Sequence, residues 1–359
     1  MYTLYGAKIS YFSGKARSYL DWKGIPHEEK LANRDVYENV ILPRVGWPVI
    51  PVVVGPENEV LQDTSDIIDT LDARHGDPSV YPDGPLQRLA ALLFELIGDE
   101  WLVIPAMHYR WAYNRDYAYQ KFGEASAPDK SPAEQYEVGK ANAVRFEGAL
   151  PFLGITPEIV PAIEAAYLTL LEQLSDHFSS FDMLLGSRPS IGDFGLYGPL
   201  YAHLYLDPAS GELMKEKAPI VARWVERMRD AEAKPGEFLP NDEVPETAQT
   251  ILREQLKDFV PVLASTAKAL TDWAGDKSVG EEVPRALGPH SFRIGASEGN
   301  RMILPFNLWM LQRVLDHLNA LNEDGKMEAA AFLDDIGAGS LMTVSYPRLE
   351  RRNFKLCLA

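Results

Sequence analysis

A small α/β layer followed by a much longer helical region is the fold class that this 359-residue sequence predicts. Three observations carry that expectation. Short β-branched runs alternate with amphipathic stretches over residues 1–80. From Pro85 onward the apolar spacing turns helical. A stretch rich in Pro, Gly and charge, Lys234 to Pro245, then marks a boundary before residues 246–359.

Each element has a local reason. Tyr2–Tyr5 is β-prone and stops at Gly6, and Ser10 to Lys23 carries a helical pattern closed by Gly24. Val49–Val54 is a β-branched run interrupted by Pro51; Val60 and Leu61 follow a turn built on Gly55-Pro56-Glu57-Asn58. Thr64 to Arg74 places Ile67, Ile68 and Leu71 on one side and ends at Gly76. The spacing then predicts one long helix from Leu86 to Tyr113. Thr156-Pro157 supplies an N-cap and first-turn proline for a helix whose Ile163, Tyr167, Leu170, Leu174 and Phe178 share a face. Ser190-Ile191-Gly192-Asp193 has capping-box spacing ahead of an apolar run from Phe194 to Leu206. Further helices are expected over Thr247–Trp273, Asn300–Leu321 and Met327–Ile336. No repeat or low-complexity tract interrupts this order.

Composition excludes several function classes. Thirty-five Lys and Arg against 52 Asp and Glu leave a formal charge of −17, with no basic cluster to displace phosphate counterions, so neither nucleic acid nor an anionic membrane is an expected partner. The single cysteine, Cys357, allows no internal disulfide, CxxC pair or thiolate cage. Seven scattered histidines give no ligand spacing, so no metal is expected. With no signal-like N-terminus and no apolar run long enough to span a bilayer, the chain reads as cytoplasmic.

Leu4-Tyr5-Gly6-Ala7-Lys8-Ile9-Ser10, then Arg17, then Lys23-Gly24-Ile25-Pro26, resembles the first strand, catalytic loop and first helix of serine-type members of the cytosolic glutathione transferase superfamily (theta-, zeta- or beta-like). Val49-Ile50-Pro51-Val52 resembles the cis-proline segment of that family. Val60 to Ile67 is similar to its acidic-hydroxyl signature, and Ser190 to Leu200 to the capping box of a core helix. The resemblance covers roughly residues 2 to 235 and leaves 246–359 unmatched. It implies a thioredoxin-like domain at 1–80, an all-helical domain at 85–240, and a mostly helical extension of unknown role.

What the resemblance implies for chemistry follows from the needs of a thiol. With a reference pKa of ~8.5, glutathione is mostly protonated at neutral pH, and a hydroxyl at a helix N-terminus stabilises the thiolate. Ser10 holds that position, where serine is also a favoured N-cap; the two roles are compatible. Tyr11 replaces the proline common there and offers a competing phenol, as does Tyr5. Asp63 and Thr64 would grip the γ-glutamyl end, or simply cap a helix, and Ile50 would bind the cysteinyl backbone beside Pro51. The basic or amide side chain usual before that proline is missing, leaving Arg44 or Lys8 for the glycine carboxylate. Trp101, His108, Tyr109 and Trp111, with Tyr11, would wall a site for a hydrophobic electrophile, although aromatics at helical spacing also suit a core. The implied protein is a dimeric glutathione transferase with glutathione as co-substrate. Alternatives are a non-catalytic scaffold with the same fold, or a glutathione-dependent lyase, dehalogenase or isomerase.

Gly295-Ala296-Ser297-Glu298-Gly299 matches a hydrolase nucleophile elbow, but the helical context around it argues against one.

Overall fold

The computed structural model describes residues 1–230 and 236–359, so Lys234 and Pro235, where the sequence boundary begins, lie outside the described residues. Strand β1 (Tyr2–Gly6) leads into α1 (Tyr11–Trp22), β2 (His27–Leu31), and the short helices α2 (Arg34–Val36) and α3 (Leu42–Val45), joined by a π turn. β3 (Val52–Val54), β4 (Val60–Leu61) and α4 (Thr64–His75) complete the layer. α5 (Pro85–Leu96) passes through a π turn at Ile97–Trp101 into α6 (Val103–Tyr113). Then come α7 (Arg115–Ser126), α8 (Pro132–Glu147), α9 (Val160–Ser180), α10 (Ile191–Ala202), α11 (Pro208–Lys217) and α12 (Pro219–Arg229). The remainder is α13 (Glu246–Ala274), hairpin β5 (Pro289–Ile294) and β6 (Ser297–Met302), α14 (Phe306–Ala320), α15 (Glu323–Asp335), and hairpin β7 (Leu349–Arg352) and β8 (Lys355–Leu358).

The N-terminal layer is a thioredoxin-like mixed sheet in the order β2-β1-β3-β4. β1 runs parallel to β2 and antiparallel to β3, with Tyr5 opposite Val52. β3 runs antiparallel to β4, with Val53 opposite Leu61. The sequence reading missed β2, because His27-Glu28-Glu29-Lys30 carries no apolar alternation. Charged side chains suit an edge strand, whose open backbone they protect from pairing with another chain.

The chain forms two compact units whose pieces alternate along the sequence. The first comprises Met1–Val80, Pro105–Leu150 and the segment from Leu196. In it α1 and α4 are tied by Asp72, which accepts from Lys23 Nζ at 2.8 Å and from Tyr19 Oη at 3.3 Å. Ser18 Oγ donates to the Met228 carbonyl on α12 at 2.7 Å. α7 and α8 approach through Gly123 and Gly139; a Cβ on either would stand 1.7 Å from a carbonyl oxygen of the other helix.

The second unit comprises Tyr81–Ile104, Pro151–Gly195 and Gly236–Ala359. Its centre is α5, which buries nine residues and packs on α13, α14 and α15. Asp242 caps α5 from 155 residues away in sequence, accepting from Gln87 N at 2.9 Å and from Leu86 N at 2.7 Å. Glu95, fully buried, pairs with Arg313 of α14 at 3.1 Å.

Several boundaries differ from expectation. The Leu86–Tyr113 helix is interrupted by the π turn at Ile97–Trp101, where Gly98 lowers the preference for an unbroken helix. Thr156 is not the cap of α9: it starts a turn, its hydroxyl donating to Glu158, and the helix begins at Val160 with Pro161 in its first turn. Asn300–Met302 belong to β6 rather than to a helix. The Gly295–Gly299 motif is the tip and start of a hairpin strand, Ser297 pairing with Ile294. Asp193, by contrast, braces α10 as the capping-box spacing expects, accepting from Ser190 N and Oγ, both at 2.8 Å, and also from Leu184 N at 2.9 Å.

Candidate functional site

Strand register gathers the sequence candidates at one end of the sheet. β1 ends at Gly6 and opens the Ala7–Ser10 loop; the start of β3 and the end of β4 lie beside that end because both neighbouring pairings are antiparallel. The loop bearing Ser10, the Ile50-Pro51 bond and Asp63-Thr64 therefore share one edge, and helices α1 and α4 both begin there. Their unpaired N–H groups make that edge electropositive.

Ser10 is the N-cap of α1, its Oγ accepting from Ser13 N at 3.3 Å. A hydroxyl that accepts this bond keeps its own proton to donate. The loop before it is held from three directions. Ser13 Oγ accepts from Ala7 N at 3.3 Å. Arg17 Nη2 donates to the Ala7 carbonyl at 3.2 Å and, together with Nε, grips Glu29. Arg110, buried on α6, donates to the Ile9 carbonyl at 2.9 Å. Tyr11 is buried where α10 passes close: a Cβ at Gly198 would stand 3.1 Å from its ring, and its ring meets the edge of His203. Burial and the charge of Arg110 hold His203 well below the usual imidazole range, so it is neutral at physiological pH.

The Ile50-Pro51 bond is cis. Among the described residues the main chain of Ile50 makes no hydrogen bond. Asp63, with φ at 23°, sits in a backbone region that side chains rarely adopt, and its carboxylate accepts from Ser65 N at 3.0 Å to cap α4. Thr64 is buried at the helix start. Ser65 accepts from the fully buried Lys15 of α1 at 3.3 Å, which links the two helix N-termini. Arg44 bonds the Val40 carbonyl of its own segment and Asn58, both at 3.4 Å.

The α6 aromatics divide. His108, Tyr109 and Tyr113 form a row of ring contacts between 5.2 and 5.7 Å, with Tyr113 exposed. Trp111 is enclosed by Tyr119, Phe122 and Phe146 of the α7–α8 pair, a core position. Trp101 belongs to the second unit, stacked on Phe259 of α13 at 5.0 Å. Arg110 is a buried anchor, bound to Asp207 through two nitrogens at 2.7 and 2.8 Å and to the Ala202 carbonyl at 2.8 Å. No local signal joins Arg110 to Asp207 across 97 positions.

The glutathione S-transferase N-terminal domain model matches residues 4–79, and the glutathione S-transferase C-terminal domain model matches residues 157–227. Similar solved structures include a glutathione S-transferase from Rhodospirillum rubrum F11, at 18% identity over 70% of this chain and 99% of that one, with a TM-score of 0.43. The beta-etherase LigF from Sphingobium sp. strain SYK-6 is similar at 16% identity over 65% and 96% of the two chains, TM-score 0.48. A Methylobacterium radiotolerans JCM 2831 glutathione S-transferase, in complex with glutathione sulfonate, is similar at 22% over 68% and 99%, TM-score 0.41. No curated protein matches the chain significantly.

Proposed function

The chain belongs to the cytosolic glutathione S-transferase superfamily, and from that premise we propose that it binds glutathione and activates its thiolate for attack on a hydrophobic electrophile. One observation carries the reading: the Ser10 hydroxyl, the uncommitted Ile50 main chain and the Asp63-Thr64 turn share one sheet edge with two helix N-termini. Ser10 Oγ–H donates to the sulfur, and the α1 terminus adds positive potential. Ile50, beside Pro51, pairs with the cysteinyl backbone. Thr64 and the first N–H groups of α4 take the γ-glutamyl carboxylate, and Asp63 takes the amino group. The electrophile lies against Tyr11, His108 and Tyr109. The same reading expects a homodimer in the cytoplasm.

Calorimetric titration with reduced glutathione, in two buffers of different ionisation enthalpy, tests the proposal. The expected result is saturable binding with proton release at neutral pH. In Ser10→Ala the proton release is lost, and kcat/KM toward an aryl halide falls ~10–100-fold, the worth of one hydrogen bond to a charged group. A folded protein that binds no glutathione would overturn the reading and leave a scaffold with the family fold.

A further inference from the structure

Arg301 lies on β6 directly opposite His290 of β5, and Phe292 follows on the same face by strand alternation. That face packs on α13, where Ser265 Oγ meets His290 Nδ1. Backbone presses close here too: a Cβ at Gly154 would stand 2.4 Å from the Phe292 ring and 3.2 Å from Arg301 Cβ. The guanidinium is enclosed, 5.8 Å from the Trp101 ring centre and 5.9 Å from that of Phe292.

Among the described residues, none of its three nitrogens has a hydrogen-bond partner, and no carboxylate comes within ion-pair distance. His290 Nε2 is likewise buried without a partner. Burial lowers the Arg301 pKa to about 10, offset only by the more distant Glu100, and the group remains charged at neutral pH. Burial and the neighbouring Arg301 keep His290 neutral down to about pH 4. An enclosed, uncompensated cation is among the costliest groups a fold can carry, and five planar donors are matched by a two-oxygen anion.

We propose that Arg301 anchors a second ligand site, outside both matched domains, that takes a small organic monoanion: a carboxylate on an aromatic or apolar body. The guanidinium fork receives the carboxylate through two parallel bonds, and Trp101 and Phe292 flank the body. The charge count favours a monoanion over a phosphate dianion, since one cation and a neutral histidine face it and Glu100 adds repulsion.

Titrating the full-length protein with sodium benzoate at constant ionic strength, with and without saturating glutathione, tests this site. The expected result is saturable binding that glutathione does not displace, weakened at least tenfold in Arg301→Met and less in Arg301→Lys, which keeps the charge and loses the fork. Without benzoate, Arg301→Met is expected to melt at or above the wild-type Tm. No saturable binding to the wild type would overturn the site, as would equal binding by folded Arg301→Met or Arg301→Lys. Displacement by glutathione would also overturn it, by assigning benzoate to the site at the sheet edge.

Discussion

Arg110 does for the Ser10 loop what no neighbour in sequence could. Its guanidinium, nearly inaccessible, spans from the Ile9 carbonyl to Asp207 and the Ala202 carbonyl, so a long-range ion pair fixes the residue before the candidate catalytic serine. Burial raises the Asp207 pKa and Arg110 opposes that shift, so each charge is tolerated only with the other present. Arg110→Met should therefore cost ~3–5 kcal/mol in urea unfolding, because Asp207 is left as a lone buried charge. The double variant Arg110→Met with Asp207→Leu should recover part of that loss. Equal stability of single and double variants would show the pair to be uncoupled. Ser10 itself was legible from local sequence, since capping needs only the residue and the helix that follows it. The partners of its loop were not.

At the scale of elements, helices were read more reliably than strands. α1, α4 and α13 follow their apolar spacing to within a residue or two, and Gly24 and Gly76 close α1 and α4 at positive φ. β2 and β6 escaped because their faces are charged or polar, and a strand with one wet side needs its partner to be recognised. Gly123 and Gly139 looked unremarkable in sequence. In the structure they let α7 and α8 pack with backbone against backbone. Gly139→Ala should force the pair apart and destabilise the protein by ~1–3 kcal/mol, the usual cost of overpacking. The same change at Gly24 meets open space, and its cost comes only from positive φ. An unaltered urea midpoint in Gly139→Ala would argue against the close approach.

For the whole molecule, the buried histidines set an acid limit on stability. Burial lowers the His177 pKa to about 4, partly offset by the Met183 carbonyl, and burial with the charge of Arg110 holds His203 well below its ordinary range. In the unfolded chain each takes a proton near pH 6.5. Below that value the unfolded state binds protons that the native state refuses, so stability falls as pH drops from ~6.5 toward ~4 and is insensitive to these groups above that window. Melting curves between pH 7.5 and 4 should show this decline, and His177→Gln should flatten part of it. A Tm independent of pH across the window would count against neutral buried histidines.

The sequence by itself determined the α/β layer followed by helices, and the caps Ser10 and Asp63 of α1 and α4. These are local properties, written in spacing and residue type over a dozen positions. Tertiary structure decided how chain segments far apart were combined. It placed Trp101 and Trp111 in different units, gave Arg110 its partner and enclosed Arg301 between rings. Burial and long-range pairing depend on which surfaces meet, and a single sequence does not encode that in any one segment.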